Sequence, residues 1–177
     1  VYPVDNTDPI ATNCPVDQEV ALNSNCELIV PDYTAMMSAT DNCDLDLEYV
    51  QQPLAGSNIS GVTSTTILVG AIDDSGNGVA CEFTLTTTDE SDPTIDCPAD
   101  QILALTASCE FILPDYSSLA DADDACGTVT VTQSPLAGTT ITGQLNATLI
   151  AEDEDGNTAT CTFFVDEREK AILLAFG

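Results

Sequence analysis

The chain has 177 residues, of which 30 are acidic and 2 are basic, and it contains no histidine or tryptophan; its formal net charge is −28. A surface of this sign repels nucleic acid phosphates and anionic membranes, so both are excluded as partners, whereas it attracts cations such as Ca²⁺. The 44% hydrophobic content argues against disorder, and no apolar run approaches the ~18 residues of a membrane span, so membrane insertion is not expected.

Eight cysteines, an even number, favour disulfides. A zinc site is disfavoured because the chain lacks histidine and the paired C-x₂-C motifs of zinc modules. Disulfides imply an oxidising compartment, so we expect an extracellular or cell-surface location and a mature fragment of an exported protein.

The cysteines also reveal a tandem duplication with a period near 83 residues. The first three cysteines of each half are spaced 12 and then 17 residues apart, and the fourth follows after 38 or 35 residues. The two sets are Cys14, Cys26, Cys43 and Cys81, and Cys97, Cys109, Cys126 and Cys161. Other matched motifs are DPIATNCP with DPTIDCP, CELIVPDY with CEFILPDY, and QQPLAG with QSPLAG.

In chain order, each repeat predicts a series of short strands. In the first repeat these are residues 18–22, 26–33, 45–52, 65–73 and 79–89, with turn residues between them and no helical period. The last two strands form a hairpin around Gly76-Asn77, and Gly156-Asn157 repeats this turn. The pattern is typical of an all-β sandwich.

Alternation along the strands places Cys26 and Cys81 on inward faces beside apolar residues, and likewise Cys109 and Cys161. We therefore predict disulfides Cys26–Cys81 and Cys109–Cys161 between the sheets. The remaining pairs would be Cys14–Cys43 and Cys97–Cys126, although four cysteines allow three pairings in each repeat.

Taken together, the motifs DP-T-I-x-CP, DNC, QSPLAG and A-x-D-x-x-GN-x₃-C-x-F-x-V resemble the hyalin repeat (HYR). The resemblance covers residues 8–89 and 92–166, and it departs from the family at DDAC, residues 123–126. It implies two tandem immunoglobulin-like, disulfide-bonded β-sandwiches, with domains at 1–89 and 90–166 and a tail at 167–177.

The family resemblance also implies a non-enzymatic extracellular adhesion module. We expect a semi-rigid stalk segment of a cell-surface adhesin or filament, whose partners are neighbouring modules of the same chain or filament. The alternative is a recognition module for a surface glycan or protein.

Enzymatic activity is not expected from these residues. Without histidine there is no Ser-His-Asp triad, and oxidised cysteines are not nucleophiles. A glycosidase that uses only carboxylates is conceivable, but the acids lie mostly in turns and short sandwich strands leave little room for a cleft.

Calcium is the cofactor to consider. In an immunoglobulin-like sandwich the start of the first strand, the loop before the third strand and the last hairpin tip lie at one end, and the short link between repeats adds further acids. The predicted ligands at this domain junction are Asp89, Asp92, Asp123, Asp124, Asp153 and Asp155. The matching end of the first repeat holds Asp5, Asp8, Asp41, Asp44, Asp73 and Asp74. The other interpretation is that these are solvated turn residues, since no complete EF-hand loop is present.

The tail, residues 167–177, matches nothing in the first repeat. It could begin another module, or supply a strand to a neighbouring subunit and make the chain a self-polymerising filament subunit. It could also be a simple linker.

Overall fold

The computed structural model describes residues 5–168. Contacts divide the chain into two units, Val1–Glu90 (unit 1) and Ser91–Gly177 (unit 2), and each is described by itself. Strands dominate both units, and two short 3₁₀ segments lie at Thr34–Met36 and Ser117–Leu119. Among the described residues, no helix is long and apolar enough to cross a membrane. The chain is therefore all-β, with two tandem immunoglobulin-like sandwiches, as predicted.

Unit 1 consists of one four-stranded sheet and two short ladders. The sheet has the order β2-β8-β7-β5, in which β2 runs parallel to β8 and the other pairs are antiparallel. The ladders are β1-β4 and β3-β6, both antiparallel. The strands are β1 (Ile10–Asn13), β2 (Gln18–Ala21), β3 (Glu27–Ile29), β4 (Ser38–Thr40), β5 (Glu48–Gln52), β6 (Asn58–Ser60), β7 (Ser64–Ile72) and β8 (Gly78–Thr88).

Unit 2 repeats this topology with the sheet β10-β16-β15-β13 and the ladders β12-β9 and β11-β14. Its last strand continues to Arg168, two residues into the segment predicted as a tail; the rest of that segment, 169–177, lies outside the described residues. The strands are β9 (Thr94–Asp96), β10 (Gln101–Ala104), β11 (Phe111–Ile112), β12 (Asp121–Asp123), β13 (Thr130–Ser134), β14 (Thr140–Ile141), β15 (Leu145–Glu152) and β16 (Thr158–Arg168).

The long hairpin of each unit supplies much of its core. In β7 and β8 alternate residues are buried, as period-two patterning requires, and Ile67 lies directly opposite Phe83. Phe83 meets Tyr33 edge to face at 5.1 Å between ring centroids, and Tyr116 meets Phe163 at the same distance in unit 2.

A buried glutamine explains two of the repeated motifs. Gln51 Oε1 accepts the backbone N–H of Tyr33 at 2.7 Å, and Gln51 Nε2 donates to the carbonyls of Pro31 at 2.9 Å and Pro53 at 3.1 Å. The Gln51 side chain therefore connects the PDY motif, residues 31–33, to the QQPLAG motif, residues 51–56. Gln133 makes the first two of these bonds in unit 2, to Tyr116 and Pro114.

The predicted disulfide pairing is wrong. The structure joins Cys14 to Cys81 and Cys97 to Cys161, each with Cα atoms 5.6 Å apart. These bonds replace the predicted Cys26–Cys81, Cys109–Cys161, Cys14–Cys43 and Cys97–Cys126.

The reason lies in the turn before β3 and its counterpart in unit 2. Cys26 and Cys109 both have φ of 58°, and each donates its N–H to a carbonyl three residues earlier, at Asn23 or Thr106. They are turn residues, so strand alternation does not apply to them. Cys43 and Cys109 are exposed free thiols, which corrects the expectation that every cysteine is oxidised.

Candidate metal centre

The acidic Gly-Asn loop of unit 1 is organised by Asp73. Its Oδ1 accepts the backbone N–H groups of Ser75 and Asn77, both at 2.8 Å, and its Oδ2 accepts Asn77 Nδ2 at 2.7 Å. The hydrogen bond from the Asn77 side chain is the main reason that the pKa of Asp73 lies below its usual value. The same carboxylate thus holds the hairpin turn and remains ionised.

Asp153 repeats this arrangement between β15 and β16. Its Oδ1 accepts three backbone N–H groups, from Asp155, Gly156 and Asn157, and its Oδ2 accepts Asn157 Nδ2 at 2.8 Å. Desolvation is the largest influence on its pKa and opposes ionisation, but these hydrogen bonds together lower the pKa.

The loop after β4 brings a second carboxylate to the same end of unit 1. Asp41 Oδ1 accepts the backbone N–H groups of Cys43 at 2.8 Å and Asp44 at 3.0 Å, and these bonds lower the pKa of Asp41. Asp44 Oδ2 in turn accepts the backbone N–H of Asp74 at 2.8 Å. The loop is therefore attached to the hairpin rather than free in solvent.

The N-terminal segment supplies a third carboxylate. Asp5 Oδ1 accepts the N–H of Thr7 at 3.0 Å, and the Asp5 carbonyl accepts Asn77 Nδ2 at 3.3 Å. Asn77 therefore links the hairpin tip to the segment that precedes β1.

These three loops form the Asp5–Asp41–Asp73 cluster, in which one oxygen of each carboxylate lies within 4.8 Å of the others. The Oδ2 atoms of Asp5 and Asp41 are buried and have no hydrogen-bond partner among the described residues. The sequence contains no lysine or arginine before Arg168. Three carboxylates so close together, with two oxygens unsatisfied, are costly unless a cation compensates them.

The cluster fits a hard divalent cation. Two oxygens bound to one Ca²⁺ at about 2.3–2.6 Å can be no more than about 5 Å apart, and the observed spacing falls within that limit. Water and further oxygens would complete the 6–8 ligands that Ca²⁺ takes.

A thiol lies beside the cluster. Asn42 Nδ2 approaches Cys43 Sγ at 2.9 Å, and desolvation followed by the charge of Asp5 raises the pKa of Cys43. The cluster therefore disfavours the thiolate here, as expected near uncompensated carboxylates.

The predicted junction ligands occupy varied positions in their own units. Asp89 follows β8 and is buried, and Asp124 Oδ1 accepts the N–H of Cys126 at 2.7 Å, as Asp41 does for Cys43. Asp153 holds its hairpin turn. The other three predicted ligands are exposed: Asp92, Asp123 and Asp155.

In unit 1, six acids were predicted to lie at one end of the sandwich, and the structure brings three of them together in the cluster. Asp8 is exposed, and the Asp44 carboxylate accepts the backbone N–H of Asp74 instead of joining the three clustered carboxylates. The repeat also shows which residues of unit 2 correspond to these three acids. Aligning the repeats on their DP, DNC-like and GN motifs places the cluster opposite Asp89, Asp124 and Asp153.

No protein-family model matches the chain, and no curated protein matches its sequence. Drosophila N-cadherin EC1-4 aligns with 92% of this chain and 50% of its own, with a TM-score of 0.48 and 14% identity. Human mucin-like protocadherin EC1-2 aligns over 90% and 98%, with a TM-score of 0.41 and 10% identity. The I67-I69 fragment of titin aligns over 93% and 67%, with a TM-score of 0.42 and 11% identity. The chain spans about half the length of the first of these structures, and the likeness concerns shape alone.

Proposed function

We propose that this chain is a non-enzymatic structural segment of an extracellular adhesin or surface filament, built from two hyalin-repeat modules. The observation that carries the proposal is that the repeated motifs form hydrogen bonds and disulfides within each module. Gln51 and Gln133 join segments of the sandwich, Asp73 and Asp153 hold hairpin turns, and the duplicated disulfides connect the entry segment to the last strand. Because these repeated motifs stabilise the fold, they suit a spacer that bears mechanical load.

The extracellular location is supported by the disulfides. Cys14–Cys81 and Cys97–Cys161 each close a loop of more than sixty residues, and such bonds persist in oxidising compartments. The bonds restrict the unfolded chain, and each contributes about 2–4 kcal/mol to the free energy of unfolding.

Calcium is the cofactor that we assign to this role, at the Asp5–Asp41–Asp73 cluster. By the sequence repeat we extend the assignment to Asp89, Asp124 and Asp153 at the domain junction predicted from the sequence. The other ligands predicted there are Asp92, Asp123 and Asp155. A bound cation would tie the N-terminal segment, the loop after β4 and the hairpin tip together.

Thermal unfolding in EDTA and in Ca²⁺ at constant ionic strength tests the calcium assignment. At about 100 times Kd, Ca²⁺ should stabilise a module by ~2.7 kcal/mol, which raises Tm. Asp41→Asn keeps the Oδ1 that accepts the N–H groups of Cys43 and Asp44, so it should lose the Ca²⁺ response without losing the loop. Asp8→Asn is the matched control, because Asp8 is acidic, exposed and outside the cluster.

Equal melting temperatures in EDTA and Ca²⁺, with no heat of binding by calorimetry, would leave the acids as solvated turn residues. A response that Mg²⁺ produces equally, and that Asp41→Asn retains as fully as Asp8→Asn, would point to general screening of the net charge.

A recognition module is the second candidate, and it is favoured by one surface. Leu136 is 74% exposed beside a groove that is also lined by Asp115, Ser117 and Val131, and Leu54 is 68% exposed at the matching position of unit 1. An exposed leucine at the same position of both repeats, beside a groove that contains the carboxylate of Asp115 in unit 2, suits a surface glycan or protein ligand.

Deletion of one unit from the parent protein separates the two candidates. A spacer loses reach but keeps adhesion at the remaining tip, whereas a recognition module loses binding. Leu54→Ser and Leu136→Ser together should leave adhesion unchanged for a spacer and weaken it for a recognition module.

A further inference from the structure

The two repeated disulfides lie at the same place in both units. Cys14 directly follows β1 and bonds to Cys81, which is the fourth residue of β8. Cys97 directly follows β9 and bonds to Cys161, which is the fourth residue of β16. Each bond therefore joins the end of the first strand of a unit to the early part of its last strand.

These bonds shorten the covalent path through each unit. A pull on the two ends of unit 1 passes along β1 to Cys14, across the disulfide to Cys81, and along the rest of β8. The residues between the bonded cysteines form a closed loop, residues 15–80 in unit 1 and 98–160 in unit 2, and the sequence separations are 67 and 64. Among the strands of the described residues, β2–β7 and β10–β15 thus lie off the direct covalent path.

Hydrogen bonds attach the segments on this path to the closed loops. In unit 1, β1 pairs with β4 in the register Ile10–Thr40, and the Asp5 carbonyl accepts Asn77 Nδ2 at 3.3 Å. Beyond Cys81, β8 pairs with β7 on one side and with β2 on the other. Unit 2 repeats these pairings, with β9 beside β12 and with β16 between β15 and β10. Tension can therefore detach the first and last strands while each loop stays closed by its disulfide.

We propose that the chain is a tether of limited extension, in which the two repeated disulfides transmit tension and keep the closed loops out of it. The inference deepens the proposed role as a spacer under load, and it rests on that role only for the claim that the chain is stretched in use. It requires neither Ca²⁺ nor an adhesive ligand. The redox state of these four cysteines sets how far the chain can lengthen.

The expected change in length is large. A fully extended chain reaches at most about 3.3–3.6 Å per residue, so the closed loop of unit 1 withholds about 220–240 Å and that of unit 2 about 210–230 Å. Together the two bonds withhold about 430–470 Å of the ~580–640 Å that 177 extended residues span.

Reduction opens the closed loops. A dithiol such as dithiothreitol supplies two electrons and two protons to one S–S bond, which becomes two Sγ–H groups, while the dithiol is oxidised to a disulfide. A reduced unit then unfolds along its whole length under tension. The same chain is therefore a short tether when oxidised and a long one after reduction.

Single-molecule stretching from the two chain ends measures the path. The test chain keeps only the two repeated disulfides, because its other four cysteines are replaced by serine: Cys26, Cys43, Cys109 and Cys126. At forces that unfold both units, dithiothreitol should lengthen this chain by about 430–470 Å. The oxidised wild-type chain should reach the same length as the oxidised test chain, since those four cysteines lie within the closed loops.

Two single variants of the test chain separate the units. Under oxidising conditions Cys14→Ser should lengthen the chain by about 220–240 Å and Cys97→Ser by about 210–230 Å, and dithiothreitol should then add only the increment of the other unit. The length at high force depends on the covalent path alone, so a variant that does not refold still reports it.

Gln51→Ala tests whether the closed loop of unit 1 is relieved of tension. Gln51 and its three partners, Tyr33, Pro31 and Pro53, all lie within that loop. The substitution should lower the unfolding force of unit 1 in the reduced chain, because forced unfolding follows the unfolding rate. In the oxidised chain the first short extension step, in which the first and last strands detach, should occur at an unchanged force.

Either of two results would overturn the proposal. One is an oxidised chain, wild-type or test, that reaches the length of the reduced chain, which would show that the covalent path runs through the loops. The other is a first step in the oxidised chain that Gln51→Ala weakens as much as it weakens the reduced chain, which would show that the loop bears tension. Neither measurement involves adhesion, so deletion of one unit tests the proposed function separately.

Discussion

The two units share a topology but fill their cores with different residues. Two core positions differ between the units, one on the four-stranded sheet and one on a short ladder. At the position opposite the core phenylalanine, unit 1 has Ile67 and unit 2 has Ala147, and both are fully buried. On the short ladder, unit 1 has the partly buried Leu28, whereas unit 2 has Phe111, which is 2% exposed. Unit 2 therefore has a smaller residue than unit 1 on the sheet, Ala147, and a larger residue on the short ladder, Phe111.

This difference shows which properties of the repeat are fixed. Apolar residues on the two faces differ together, because interiors are close-packed and either a void or an excess methylene lowers stability. The hydrogen-bonded corner at Gln51 and Gln133 and the edge-to-face ring pairs are kept unchanged. Directional contacts are therefore retained while apolar volume is redistributed.

Exchanging the core residues should have the largest effect. Ile67→Ala should lower the free energy of unfolding of unit 1 by about 2–5 kcal/mol, because it removes a fully buried side chain. Adding Leu28→Phe should recover part of this loss, since unit 2 uses that combination. Urea unfolding with hydrogen exchange read separately for peptides of each unit measures the change.

The reciprocal exchange is the control. Ala147→Ile alone should overpack unit 2 and cost about 1–3 kcal/mol, and Phe111→Leu in the same chain should relieve that cost. Coupling between such sites is expected to be about 0.5–3 kcal/mol. Strict additivity in both units would show that the two positions do not share one core volume.

Substitution of the buried glutamines tests the hydrogen-bonded corner, which is the same in both units. Gln51→Ala should cost about 1–3 kcal/mol, because the buried N–H of Tyr33 and the carbonyl of Pro31 lose their partner. Gln133→Ala should cost less than Gln51→Ala, since Gln51 makes a further bond to Pro53. The same exchange measurement applies. Gln51→Glu keeps an acceptor but sets a buried carboxylate against the carbonyls of Pro31 and Pro53, so it should cost at least as much as Gln51→Ala.

An equal or larger loss for Gln133→Ala would contradict this ranking. It would show that the stabilisation comes from the two glutamine hydrogen bonds that both units share. These bonds are to Tyr33 and Pro31 in unit 1, and to Tyr116 and Pro114 in unit 2.

Local features of this molecule could be predicted from its sequence, whereas features set by loop conformation could not. The alternation in β7 and β8 and the Gly-Asn turn are properties of adjacent residues, so the hairpins and the fold class followed from the pattern. The disulfide pairing did not, because the positive φ of Cys26 leaves no trace in an apolar alternating run.

The candidate metal centre shows the same division. The sequence predicted an acidic end for each module, since Asp and Asn concentrate in turns. It did not separate Asp41 and Asp73 from their neighbours Asp44 and Asp74, because the choice depends on which oxygen accepts which backbone N–H. Comparison of the two repeats sets Asp44 apart, because it aligns with Gly127, but it does not set Asp74 apart, because Asp74 aligns with Glu154.

Acid should destabilise the hairpin turns of both units, and the size of the effect should differ between the units. Hydrogen bonds from Asn77 lower the pKa of Asp73 below its ordinary value of 3.8. Because the folded pKa lies below the unfolded one, the stabilisation is fully present above about pH 3.8 and is lost as the pH falls through the folded pKa. Asn77→Ala should therefore destabilise unit 1 at neutral pH, and the difference from wild type should shrink below pH 3.8.

The experiment is hydrogen exchange of each unit between pH 6 and pH 2.5 in EDTA, after correction for the intrinsic exchange rate. Asn157→Ala is the matched variant in unit 2, where desolvation of Asp153 opposes the lowering by Asn157 and its neighbours. Unit 1 should show the larger change with pH, because the pKa of Asp41 beside the same turn is lowered as well. A difference between Asn77→Ala and wild type that stays constant down to pH 2.5 would mean that Asn77 acts by holding the N-terminal segment at the Asp5 carbonyl, and not through the charge of Asp73.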